Sequence, residues 1–273
     1  MKSKKKTVFI ILLLVLMIAL TYLPMLMLTI YSFTDAKTLG VWNGFTLDLY
    51  KELFAEDEIM EALRNSILIG LIASVLAVIM GTFASIGINN LKRGPRMVAE
   101  GVNQITMVNA DIVTAVGFML LFLMVIVIPN DYVTLIIAHT MICTPYVVMS
   151  VLPRLSQLNP NLYEAGLDLG AKPMRTILTV ILPQLIPGII AGFALAFTIS
   201  LDDYTISTLV GSGVNTIPRF LYSKLKVKGI SPIMRPLSVV IMVAIMLVLI
   251  AINVSSSRME KKRKQMEKMI GRS

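Results

Sequence analysis

The stretch Val8–Ile30, VFIILLLVLMIALTYLPMLMLTI, decides the class of fold. It carries no charged residue and exceeds the roughly 20 apolar residues that a helix needs to cross a bilayer. Inside hydrocarbon every backbone N–H and C=O must find its partner within the segment, so the run is a helix. A basic stretch, Met1–Lys6, precedes it. A secretory signal begins in the same way, but its apolar core is about 7–15 residues long and a small-residue cleavage site follows. Tyr31-Ser32-Phe33-Thr34 offers no such site, so the run is expected to remain as a first transmembrane helix.

Five further apolar runs follow along the chain: Ser66–Ile88, Ile105–Ile128, Tyr132–Leu152, Ile186–Val210 and Pro236–Val254. The alternating pattern of a membrane β-barrel is missing. Of the 273 residues, 56% are hydrophobic and only 15% are charged, and mean hydropathy is +0.80. Water-soluble domains carry about 25% charged residues. The expectation is an all-α integral membrane protein with about six transmembrane helices, one domain over residues 1–273. The single cysteine, Cys143, lies in an apolar run and reads as a small buried hydrophobe.

The net charge of +9 does not point to nucleic acid, because the basic residues sit beside the apolar runs. About two thirds of the 25 Lys and Arg fall on one side when alternate loops are grouped: Lys2 to Lys6, Lys92 to Arg96, Arg154 to Arg175, and the tail from Arg258 to Arg272. The positive-inside rule then places both termini in the cytoplasm, with residues 255–273 as a basic cytoplasmic tail at the anionic inner surface. The spans themselves hold no Lys or Arg on this reading. The first outer loop, Ser32 to Asn65, is acidic and is expected to hold short amphipathic helices around Leu49, Leu53 and Ile59, with Asn65-Ser66 capping the second span. Pro145 is expected to kink the fourth span.

The segment 153–185 is too polar to span and too patterned to be a plain linker. Asn159-Pro160 marks a turn, Leu162–Leu169 a short helix, Gly170 a break and Met174–Ile181 a second helix, after which Pro183 and Pro187 lead into the fifth span. A short helix, a glycine and another helix make an elbow able to pass a push from a cytoplasmic protein into the membrane.

Its spacing is also informative. Glu164-Ala165-Gly166-Leu167-Asp168-Leu169-Gly170, nine residues, then Val180-Ile181-Leu182-Pro183 resembles the E-A-A…G…I-x-L-P motif of ABC importer permeases. Gly166 stands where that motif has a second alanine, and Val180 where it has isoleucine. Asp111-Ile112-Val113, Phe197 to Asp203, Ile217-Pro218 with Leu221-Tyr222-Ser223, and Ile230-Ser231-Pro232 resemble the second permease subunit of the spermidine/putrescine importers. The resemblance implies a type I importer permease fold in the inner (cytoplasmic) cell membrane. It implies that 153–185 is a coupling loop in which Glu164, Ala165, Gly166, Asp168, Gly170, Ala171, Leu182 and Pro183 dock on an ATPase subunit. It further implies a homologous permease partner, two ABC ATPase subunits that use ATP and Mg, an extracytoplasmic solute-binding protein and surrounding lipid. The chain itself would be no enzyme and would bind no cofactor.

Substrate-path candidates are Asp202, Asp203 and Tyr204 at the end of the fifth span and Asp111 in the third. Counting from Pro187 at about 1.5 Å per residue puts Asp202 roughly 23 Å into a core about 30 Å thick, in its outer third. Asp111 is expected near the inner end of its span and Glu100 in solvent at the inner boundary. Carboxylates at membrane depth face a cavity or a partner, so these would attract a cationic amine, or else balance Arg219 or a nearby lysine. Of Asp202 and Asp203, the second is expected to matter more. His139, the only histidine, is expected to pack among helices with a hydrogen bond to a neighbour; a metal site needs more ligands than it has near it in sequence. Gly211-Ser212-Gly213 lacks the Lys-Ser/Thr ending of a phosphate-binding loop. An importer of another solute, a secondary transporter and a membrane scaffold are the alternative readings.

Overall fold

The computed structural model describes residues 2–36, 38, 40–126, 131–211, 213–228 and 231–270. They form helices α1 (Lys2–Tyr31), α2 (Asp48–Ala55), α3 (Asp57–Asn89), α4 (Arg93–Val108), α5 (Asp111–Leu120), α6 (Tyr132–Ser156), α7 (Asn161–Asp168), α8 (Pro173–Thr176), α9 (Leu182–Asp202), α10 (Thr205–Leu209), α11 (Ile217–Lys228) and α12 (Met234–Ile270), with no strand among the described residues. Among the described residues five helical runs are long and apolar enough to cross a membrane, and a sixth arises if the bent pair Arg93–Val108 and Asp111–Ile126 counts as one.

The chain divides into two units. The first takes residues 1–60 and 221–245. There the α1 span, Phe9–Tyr31, has none of its residues buried. The loop after it is held by Ser32 Oγ against Tyr50 OH at 2.8 Å and by stacking of Phe33 on Phe45. Leu49 and Leu53 of α2 are buried, as an amphipathic loop helix requires. Lys224 donates to Glu58 at 2.7 Å, and that hydrogen bond raises the lysine's pKa. Arg235 is fully buried and donates from Nη1 to Ala36 O at 2.9 Å. It lies inside the sixth span, Met234–Ala251, which corrects the expectation of spans without Arg. The side chains of the basic tail lie outside the described residues.

The second unit, residues 61–220 and 246–273, is built on α6 and α9. Their backbones meet through small residues. A Cβ on Gly192 would touch Val147 Cγ1 at 3.2 Å, and one on Gly188 would press Arg154 Cγ at 3.0 Å. Ser150 Oγ donates to Gly188 O at 3.0 Å and Cys143 Sγ to Ala196 O at 3.2 Å. Close approach and side-chain-to-backbone hydrogen bonds hold helices together where lipid removes the hydrophobic drive. α6 continues through Pro145 and Pro153, and Pro145 O accepts from Asn103 Nδ2 at 3.2 Å.

Four boundaries differ from expectation. The third span is not one run: α4 and α5 meet at 102°. Asn109 and Ala110 are extended, and Ala110 O accepts from Val113 N and Thr114 N, so a new helix starts with Asp111 in its first turn. The end of that expected span, at Ile128, lies outside the described residues. The fifth span starts earlier and stops sooner. α8, a π-helical turn over Ile177–Ile181 and α9 run from Pro173 to Asp202 without interruption, so the expected second elbow helix belongs to the span. Leu182 N bonds back to Ile177 O, an i→i+5 bond just before Pro183, which brings no donor of its own. α3 begins at Asp57, placing Asn65 and Ser66 mid-helix. Instead of capping, Asn65 Nδ2 donates to Asn215 O at 2.9 Å and Ser66 Oγ accepts from Ile217 N at 2.8 Å.

Candidate functional site

The elbow is built around a helix end. Asn159 Oδ1 accepts from Asn161 N at 3.0 Å and starts α7. At its other end Gly170 takes φ +81°, a left-handed angle that favours glycine. Gly170 N donates to Leu167 O at 2.8 Å and Ala171 N to Gly166 O at 3.2 Å. This pair of bonds is the Schellman closure, which satisfies carbonyls that a helix end leaves open. Ala171 thus has a backbone part in the turn. Lys172 and Pro173 then start α8, and Thr176 sits fully buried against Gly166. Glu164, Ala165 and Asp168 are exposed on α7, Pro183 is exposed and Leu182 half-buried. Between Asp168 and Gly170, Leu169 is 89% exposed. Sequence reasoning passed over it, since a single leucine in a polar loop carries no signal by itself. Glu164 also lines a 650 Å³ cavity with Tyr163, Asn89, Arg96 and Ser156.

The four path candidates come together. Asp111, Asp202, Asp203 and Tyr204 line one cavity of about 330 Å³, with Tyr146 and Thr106 among its other walls and neither Lys nor Arg. Asp111 and Asp202 therefore cannot lie at opposite ends of the membrane. The bend after α4 places Asp111 beside the end of α9.

The neighbouring carboxylates do different work. Asp202 is exposed to the cavity. The Asp203 side chain is 9% exposed; its Oδ2 accepts from Ser207 N at 2.9 Å and its Oδ1 from Ile206 N at 3.4 Å. It holds the start of α10, whose first N–H groups find no partner within the helix itself. Behind it, fully buried His139 meets Ser200 Oγ through Nδ1 at 2.7 Å and Ser207 Oγ through Nε2 at 3.3 Å. Asp203 Oδ2 is 3.7 Å from Nε2. His139 is thus a packed, hydrogen-bonded histidine tying α6, α9 and α10. Arg219 does not balance these carboxylates: its Nη1 donates to Gly211 O and Val214 O.

Residues 75–262 match the family described as binding-protein-dependent transport system inner membrane component. The chain belongs to this family. As the membrane component of such a transport system it is a multi-pass permease and not an enzyme. Among similar proteins are the putrescine transport system permease protein PotI of Escherichia coli K12, 35% identical over 89% of this chain and 88% of the relative, and the spermidine/putrescine transport system permease protein PotC of Haemophilus influenzae, 32% identical over 82% and 87%. The fold matches a bacterial ABC transporter that imports the acidic polysaccharide alginate, with TM-score 0.70 over 94% of this chain and 96% of that one at 17% identity. The methionine ABC transporter MetNI matches with TM-score 0.61 over 75% and 99% at 15% identity. The permease fold is therefore that of type I ABC importers. Since it also serves an acidic polysaccharide, the fold by itself does not set the charge of the cargo.

Proposed function

We propose that this permease carries polyamines of the putrescine and spermidine kind inward through the cavity lined by Asp111, Asp202 and Asp203. The observation that carries the reading is the cavity's charge. Three carboxylates and two tyrosines line it without Lys or Arg. An ammonium group gains from carboxylates and from aromatic faces, and relatives at 30–35% identity are named for the same cargo. The elbow lies on the cytoplasmic side with both termini. It docks through α7, with Glu164, Ala165, Asp168 and Leu169 facing one of two ABC ATPase subunits, while Gly166, Gly170 and Ala171 fix its shape and Leu182-Pro183 join it to α9. A homologous permease completes the path, a solute-binding protein delivers cargo from outside, and ATP and Mg act on the ATPase subunits alone. ATP binding there closes the pair, moves the elbow and turns the path outward. Uptake of labelled putrescine and spermidine by the reconstituted complex tests this: ATP-dependent accumulation of an amine is expected. Accumulation of a neutral or anionic solute instead would replace the amine with another cargo, and uptake independent of ATP would point to a secondary transporter.

A further inference from the structure

α4 is amphipathic in the opposite sense to a helix at a water-exposed surface. Arg96, Ala99, Glu100, Asn103 and Met107, spaced along one helical stripe, are half-buried. Met97, Val98, Val102, Ile105 and Val108 on the other face are 59–85% exposed. Polar side chains turned inward and apolar ones outward suit a helix between hydrocarbon and a polar space, because polar groups at membrane depth face protein or water-filled cavities. Three cavities follow this stripe in order. Thr106 lines the acidic cavity. Glu100, Asn103, Gln104 and Met107 line a second, of 310 Å³, against α6. Arg96 and Ser156 line both that one and the 650 Å³ cavity beside Glu164. Cavities therefore succeed one another along the α4–α6 seam, the middle and lower ones sharing Arg96 and Ser156, and the middle one walled largely by Met107, Val148, Met149 and Leu152 with Arg96, Glu100, Asn103 and Gln104 as its polar groups. In the middle cavity Glu100 is the one carboxylate among the lining residues. Its Oε1 accepts from Arg96 Nε at 2.8 Å, while the other guanidinium nitrogens hold Asn89 Oδ1 at 3.2 Å and Ser156 Oγ at 2.9 Å.

We infer that this seam is the second half of the cation path. Glu100 is the step that receives the cargo's ammonium groups after Asp111 and Asp202, and Arg96 occupies that carboxylate while no cargo is present. The inference rests on the amine-permease reading and extends it toward the elbow. An arriving ammonium competes with a guanidinium that keeps two other partners, so Arg96 is not stranded when displaced. The same competition later ejects the cargo, which meets the requirement that a conducting site bind weakly enough to release. Asn103, whose amide donates to Pro145 O, keeps an acceptor oxygen beside Glu100.

Single cysteines in a Cys143→Ser background test the seam: Gln104→Cys and Met107→Cys at the middle cavity, Val98→Cys and Val102→Cys on the apolar face, Thr114→Cys at the acidic cavity. The full complex in proteoliposomes, turning over ATP, is treated with a small cationic thiosulfonate, with and without putrescine. Labelling at 104 and 107 should be several-fold faster than at 98 and 102, and putrescine should slow it. Equal rates on the two faces would overturn the seam. Slowing at Thr114→Cys but not at 104 and 107 would overturn it too, leaving the amine reading in place. Fast labelling at 104 and 107 that putrescine slows at neither site would support a cation path and reject the amine cargo. For Glu100 itself, Glu100→Gln should lower maximal uptake per assembled complex several-fold with the half-saturating amine concentration unchanged, and Glu100→Asp should recover much of it. Loss of uptake only in step with loss of complex would overturn its role.

Discussion

Gly166 and Thr176 meet across the elbow with no room for a methyl group between them: a Cβ on Gly166 would overlap Thr176 Cγ2. The glycine that departs from the E-A-A pattern is thus matched to a fully buried threonine one turn past the bend. Gly166→Ala should overpack this contact at about 1–3 kcal/mol, tilting α7 and lowering transport per ATP hydrolysed by the assembled complex. Thr176→Ser removes the overlapping methyl, so the double variant should regain coupling. Equal coupling in wild type and Gly166→Ala, measured as uptake against hydrolysis, would show that the contact does not shape the elbow.

At Gly170 the constraint is in the backbone alone. A Cβ there meets nothing within 4 Å, yet φ is +81°. Gly170→Leu should therefore cost about 1–2 kcal/mol at the bend through its left-handed angle, with normal membrane insertion and weakened ATPase association. Gly170→Asn should be milder, since asparagine enters that region more readily. Comparable loss in both variants, read by co-purification of the ATPase, would point to side-chain crowding in the docked complex instead.

The elbow was legible because its signals are local: Asn159-Pro160 for the start, Gly170 for the left-handed stop, and a fixed spacing to Leu182-Pro183. The apolar runs likewise announced most of the spans. What stayed hidden depends on neighbours distant in sequence. Nothing in the run from Ile105 shows that Asn109-Ala110 will bend by 102° and bring Asp111 to the end of α9. Glu100 read as a solvated boundary residue because its cavity exists only between α4 and α6. Arg235 read as one more loop cation, since its burial depends on the Ala36 carbonyl, far away along the chain. Coincidence of a motif with topology is readable from one sequence; the partner of a buried charge is not.

Orientation is open to a direct check. In a Cys143→Ser background, Phe45→Cys, at a position 70% exposed, should react with an impermeant thiol reagent added outside. Lys262→Cys, in the basic tail, should react only after the membrane is opened. The reverse pattern would invert the protein and move the elbow to the outer face, where no ATPase could reach it.

The two adjacent carboxylates at the end of α9 should separate cleanly. Sequence favoured Asp203 as the stronger substrate residue, but its oxygens are committed to the backbone N–H groups of Ile206 and Ser207, and His139 packs behind it. Asp202, one residue earlier, faces the cavity with its charge available. Asp202→Asn should therefore leave the complex assembled and lower amine uptake several-fold, because a neutral amide keeps the shape but loses the attraction for an ammonium. Asp203→Asn keeps an acceptor oxygen and replaces one good cap by another at little cost, whereas Asp203→Ala removes the cap at about 0.5–2 kcal/mol. In that series thermal stability of the complex and uptake should fall together, and His139→Leu should follow the same line. Uptake and assembled complex measured side by side decide the matter: if Asp203→Asn abolishes uptake at full assembly while Asp202→Asn does not change it, the cavity's working carboxylate is Asp203 and the assignment is reversed.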